Sequence, residues 1–182
     1  MQRVKTGLID FGVVLAIVFA CAIGAIAPVN AQDKSELLQL EQIALAEAHI
    51  TGYLKVGPKL NKMFDRIDKA GDKPDKQLSA DLEALAKTGG FKSFDELETV
   101  VSNVTFVMSG INEEDGSFKE PAELLKQELT ETENDTSIKA EEKKQLIASI
   151  KESIAHTPTL KHPGNVELVK KHFPALVKLF QE

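Results

Sequence analysis

The chain has no tryptophan, one tyrosine and a single cysteine in 182 residues. That cysteine, Cys21, lies in an apolar head, so the rest of the chain has no disulfide, thiolate metal site or cysteine nucleophile. Stability must then come from packing, which in an exported protein suits a bacterial periplasm better than a small disulfide-stapled domain. Basic residues are also in deficit, 22 against 28 acidic, for a formal net charge of −6. Nucleic acid needs a basic face, because phosphate neutralisation supplies most of the affinity. An acidic, aromatic-poor chain therefore argues against that partner, and it has no pull towards an anionic membrane surface. No segment alternates convincingly with period two, so strands are not expected.

The head, by contrast, is rich in apolar residues. Arg3 and Lys5 give it a short positive start, and residues 11–29 (FGVVLAIVFACAIGAIAPV) carry no charge. Such a run overlaps the roughly 18 or more apolar residues of a spanning helix. It also exceeds the roughly 7–15 of a signal-peptide core. Gly, Ala and Cys thin the hydrophobicity after Phe19, and Pro28 breaks the helix. Val29-Asn30-Ala31 then puts small residues three before and one before a cut. These features predict a signal peptide over residues 1–31 and a single mature domain over residues 32–182, located in the periplasm. The alternative is an uncleaved inner-membrane anchor, the only route by which a membrane would be a partner. A lipoprotein through Cys21 fits less well, because Phe19 is bulky where a small residue is expected and no polar tether follows.

Beyond the head, helical spacing dominates. Asp33 three residues before Glu36 has the layout of a capping box and opens a helix carrying Leu37, Leu40, Ala44, Ala48 and Leu54. Gly52 weakens it, Gly57-Pro58 restarts it, and Leu60, Met63, Phe64 and Ile67 then follow one face until Gly71. Pro74 suits the first turn of a helix with Leu78, Leu82 and Leu85 inward, stopped by Gly89-Gly90. The clearest helix follows: Ser93 caps, Glu96 sits three residues on, and Phe94, Leu97, Val100, Val101, Val104, Val107, Met108 and Ile111 form one stripe. Its β-branched residues lower helix propensity, so it needs burial. Phe106 lies beside that stripe and widens its apolar arc, as expected of a helix packed on several sides.

Residues 112–119 (NEEDGSFK) read as a turn, and Pro121 begins a helix with Leu124, Leu125 and Leu129. Residues 130–137 (TETENDTS) read as a mobile loop. A helix over residues 139–156 turns Leu146, Ile147, Ile150 and Ile154 inward, and a proline-rich link leads to a last helix. Asn165 can cap that helix, which carries Val166, Val169, Phe173, Leu176, Val177 and Phe180, with Pro174 kinking or splitting it. The expected fold is all-α, about six or seven helices in a compact bundle or orthogonal array after the signal helix.

Chemistry-bearing motifs are few. His49, His156, His162 and His172 are the only side chains that titrate near neutrality unperturbed. No two stand three or four residues apart, so no local zinc pair forms, although His156, His162 and His172 could converge at the end of the last two helices. Aligning Gly116 with the glycine of a calcium loop puts Ile111 and Ala122 at ligand positions, and the match fails. No nucleophile elbow, phosphate loop, dinucleotide fingerprint or zinc-protease helix appears. The di-iron Glu-x-x-His spacing is missing as well, since Glu152 lies four residues before His156. No catalytic, cofactor-binding or metal residue is nominated, and no cofactor is expected.

The block GGFKSFDELETVVSNVTFVMSGI and the ending NVELVKKHFPAL resemble small exported all-helical proteins of unknown function from Gram-negative bacteria. That resemblance implies export and an all-helical fold, and it brings no activity. The expected function is non-catalytic: protein–protein interaction with an envelope protein, or self-association. The rivals are a carrier of a small apolar ligand between helices, a metal protein or enzyme using the C-terminal histidines, and an envelope chaperone with an exposed apolar groove.

Overall fold

Helix α1 spans Glu47–Ala70, α2 Lys76–Gly89, α3 Phe94–Met108, α4 Pro121–Asn134, α5 Ala140–His156 and α6 Gly164–Gln181. The computed structural model describes residues 40–70 and 76–181, with side chains left out over residues 65–76. Among the described residues the protein is all-helical, with no strand and one isolated bridge, Ile111 to Phe118. The expected signal helix, the cap at Asp33, Ile67, Gly71 and Pro74 lie outside the residues so described.

Four helices share one apolar core. α1 supplies Ile50, Tyr53, Val56 and Leu60, and α2 supplies Leu78, Leu82, Leu85 and Ala86. α3 adds Leu97, Val100, Val104 and Val107, while α6 adds Val166, Val169, Leu176 and Leu179. Each Val, Leu or Ile among them stabilises the fold by roughly 1.5–3 kcal/mol when taken fully from water. α1 and α3 each pack against the other three core helices. The stripe on α3 is buried as its spacing requires, except Phe94, which is half-buried, and Phe106 is buried too. Ser93 Oγ accepts the Glu96 amide at 3.2 Å, which is the first half of the capping box, while the Glu96 carboxylate reaches one residue further back and accepts the Lys92 amide. Gly90, at φ +92°, stops α2 in a conformation that suits glycine.

Several expectations fail for physical reasons. α1 does not restart at Gly57-Pro58; it runs through Pro58 as one helix. An interior proline costs about 3 kcal/mol, and burial of Val56 and Leu60 on either side offsets it. The glycines of α1 serve close approach instead. A Cβ at Gly52 would lie 2.5 Å from the Gly89 carbonyl oxygen, and one at Gly57 would lie 2.7 Å from Leu179 Cδ1. Pro174 likewise does not split α6.

The expected loop over residues 130–137 is largely helix, because α4 continues to Asn134. The polar side chains there fold back on their own helix: Thr130 Oγ1 donates to the Lys126 carbonyl at 3.0 Å and Asn134 Nδ2 to the Thr130 carbonyl at 2.8 Å. Asp135 closes the turn, accepting from the Ser137 amide at 2.7 Å and hydroxyl at 2.6 Å, which holds its carboxyl below the usual range.

α4 and α5 stand apart from this core. They pack chiefly on each other, and the core cluster takes no residue from residues 121–156. Of the four side chains expected inward on α5, Ile150 is buried, Ile147 and Ile154 are half-buried, and Leu146 is 39% exposed. Only a partner helix on one side is available, too little surface to cover the whole stripe. The base of this hairpin is tied to the core-side link by the Leu160 amide, which donates to Glu120 Oε2 at 3.2 Å.

Candidate functional site

Residues 40–46, expected to be helical, are not. α1 begins only at Glu47, and the seven residues before it follow a non-helical path held by side chains of α3 and α6. Asn103, 2% exposed in the middle of the α3 stripe, donates from Nδ2 to the Glu41 carbonyl at 2.8 Å. Its Oδ1 accepts the Ile43 amide at 3.0 Å. Asn165, 3% exposed near the start of α6, repeats the pattern one step on: Nδ2 donates to the Ile43 carbonyl at 2.8 Å, and Oδ1 accepts the Leu45 amide at 2.8 Å.

A carbonyl at i and an amide at i+2 are what an extended strand offers along one edge to its neighbour. Two buried carboxamides thus stand in for the missing neighbour over residues 41–45. The partners also fix which end of each carboxamide is nitrogen, since Nδ2 faces carbonyls and Oδ1 faces amides. Asn103 Nδ2 additionally donates to the Thr99 carbonyl at 2.8 Å, so this buried amide has all its polar atoms engaged. Asn165 is therefore no cap of α6, as its position suggested; its side chain is committed to the arm.

The link before α6 holds the same arm. Gln42 Nε2 donates to the Thr159 carbonyl at 2.9 Å, Gln42 Oε1 accepts the Lys161 amide at 2.8 Å, and the Gln42 carbonyl accepts from His162 Nε2 at 3.1 Å. Ile43 and Leu45 pack against the apolar core, while Ala44 and Ala46 face solvent. Where the arm meets α1, His49 Nδ1 accepts the Ala46 amide at 3.2 Å, the role that Glu plays in a capping box. Glu47 then takes Lys171 Nζ at 2.9 Å and His172 Nε2 at 2.7 Å on the same oxygen. Hydrogen bonds from Lys171 first, then His172, hold the Glu47 carboxyl below its ordinary range.

The histidines do not share a site. His156 Nδ1 donates to the Glu152 carbonyl of its own helix at 2.7 Å, while His162 and His172 serve the arm and Glu47 separately. Among the described residues no three His, Cys, Asp or Glu side chains are placed to hold a metal ion. Elsewhere on α3, Thr105 is 2% exposed and its hydroxyl has no partner among the described residues. Burial alone pushes the Tyr53 phenol well above its ordinary value, so it stays protonated.

The arrangement grips backbone. Comparison with protein families, curated proteins and solved structures found no match to this chain. Among the described residues no helix is long and apolar enough to cross a membrane. Asn165 was legible only as a helix cap, and Asn103 only as a carboxamide inside an apolar stripe, in an Asn-Val-Thr triplet of glycosylation-acceptor pattern. Neither signal points to a grip on backbone.

Proposed function

We propose that the protein is a non-catalytic interaction protein of the periplasm, exported by a signal peptide over residues 1–31 and cleaved there. In this reading it resembles the small exported helical proteins of Gram-negative bacteria, and its four core helices act as a bundle that carries the α4–α5 hairpin. The supporting observation is the hairpin itself: two helices that pack on each other, with Leu146 as the one exposed large hydrophobic side chain among the described residues. Leu146 belongs to the same α5 stripe as half-buried Ile147 and Ile154, and this incompletely covered apolar stripe is the contact surface offered to an envelope protein or a second copy.

The test pairs light scattering with pull-down from the host envelope, using wild type and Leu146→Glu. Self-association or a recovered partner, lost in the variant while its circular dichroism is unchanged, supports the reading. A strict monomer that recovers nothing contradicts it. An intact mass that retains the first thirty-one residues would contradict cleavage.

A further inference from the structure

Residues 40–46 read LEQIALA, immediately before a helix. Leu, Glu, Gln and Ala are among the better helix formers and Ile is only slightly worse, so the locally favoured state is two more turns of α1. The arm is instead held non-helical by groups from α3, α6 and the link between α5 and α6. Five of those seven bonds address its backbone, and the other two address the Gln42 side chain. A segment kept from its own preference by groups that read backbone is behaving as a ligand.

We infer that Asn103, Asn165 and His162 form a binding site for an extended polypeptide of a protein partner, occupied here in cis by residues 41–45. The chemistry of the ligand follows from the occupant. It must present carbonyl, amide, carbonyl and amide along one edge over five residues, as Glu41, Ile43 and Leu45 do. Its apolar side chains stand two residues apart, matching Ile43 and Leu45, which pack on the core. Proline is excluded at both of those positions, because each must donate an N–H. A glutamine between them and the preceding residue, as at Gln42, adds the bonds to Thr159 and Lys161.

Release of the arm costs its hydrogen bonds and the packing of Ile43 and Leu45, and it returns the helical turns that the sequence favours. The covalent arm competes at an effective concentration in the millimolar range or above, so the intact protein is latched. This site lies on the four-helix core and does not rest on the hairpin reading.

The test uses a fluorescent peptide, LEQIALA, and the same peptide N-methylated at its Ile and second Leu, which removes the two amide donors. Binding is read by anisotropy on the folded full-length exported chain. Ile43→Ser with Leu45→Ser weakens the arm and leaves the site intact; Gln42→Ala, a milder change on the outer side, serves if the double variant loses its circular dichroism. The weakened-arm protein is expected to bind the peptide at least tenfold more tightly than wild type, and the N-methylated peptide not at all. Equal binding of the two peptides, or no gain from either variant, would overturn the inference. Dimerisation of Gln42→Ala without peptide, abolished by Asn103→Ala, would assign the site to a second copy and also overturn it.

Discussion

The four-helix core and the α4–α5 hairpin are built from similar helices, yet they are held by different means. In the core, α3 buries nine of its fifteen residues, and α1, α2 and α6 close round it. In the hairpin, Ile150 is the one buried large aliphatic side chain, joined by Pro121 and Thr132. Its helices rely instead on side chains that bond back to their own carbonyls and on one exposed ion pair. The Lys151–Glu133 pair, at 3.6 Å with both partners about half exposed, contributes little. The same apolar spacing thus yields a rigid interior where four helices meet and a lightly held surface element where only two do.

The largest contrast should come from truncating one leucine in each region. Leu176→Ala empties a fully buried core position and is expected to cost about 2–5 kcal/mol. Leu146→Ala should stay within about 0.5 kcal/mol, as surface changes do. Urea unfolding of both variants checks this, and similar losses would erase the distinction.

Next in size is the arm. Asn103→Asp replaces the group that donates to the Glu41 and Thr99 carbonyls with a buried acceptor. It should destabilise more than Asn103→Ala, which leaves the arm's groups unpaired at about 1–3 kcal/mol. Equal losses would show that water reaches the carboxamide.

Thr105→Val goes the other way. It removes a buried hydroxyl that lacks a partner among the described residues and keeps the shape, so it should be neutral or stabilising by about 1 kcal/mol. A loss of stability in thermal unfolding would reveal a bond to that oxygen.

The smallest effect belongs to Glu47. Its folded carboxyl is depressed below the unfolded value, so its contribution is present above the unfolded pKa and fades as pH falls through the folded one. Glu47→Gln should therefore leave stability at neutral pH slightly reduced and flatten its decline in acid, read from melts between neutral and strongly acidic pH. An unchanged acid limb would show that the two cations give this exposed carboxylate no net preference.

What could be read from the residues alone divides along the same line. The apolar faces of α2, α3 and α6 were legible because spacing is local, as were the Ser93 cap and the Gly90 stop, whereas Asn165 and Pro174 in α6 misled. Gly52 and Gly57 misled because their role is set by Gly89, Phe91 and Leu179, far away in sequence. Residues 130–134 looked like a loop by composition, and back-bonding side chains kept them helical. Leu146 has the spacing of a core residue but lacks a second helix to cover it. The arm was the least legible. Its seven residues favour helix, and the groups that overrule them sit about 60 and 120 positions later, on Asn103 and Asn165.

Native-state hydrogen exchange, resolved by residue, tests the division most directly. Amides of α3 between Val100 and Met108 should exchange only through global unfolding, and those of Ile43 and Leu45 should be protected by their asparagines. Amides of α5 should open locally, with free energies well below the global value. Uniform protection across α3 and α5, or fast exchange at Ile43 and Leu45, would contradict the account.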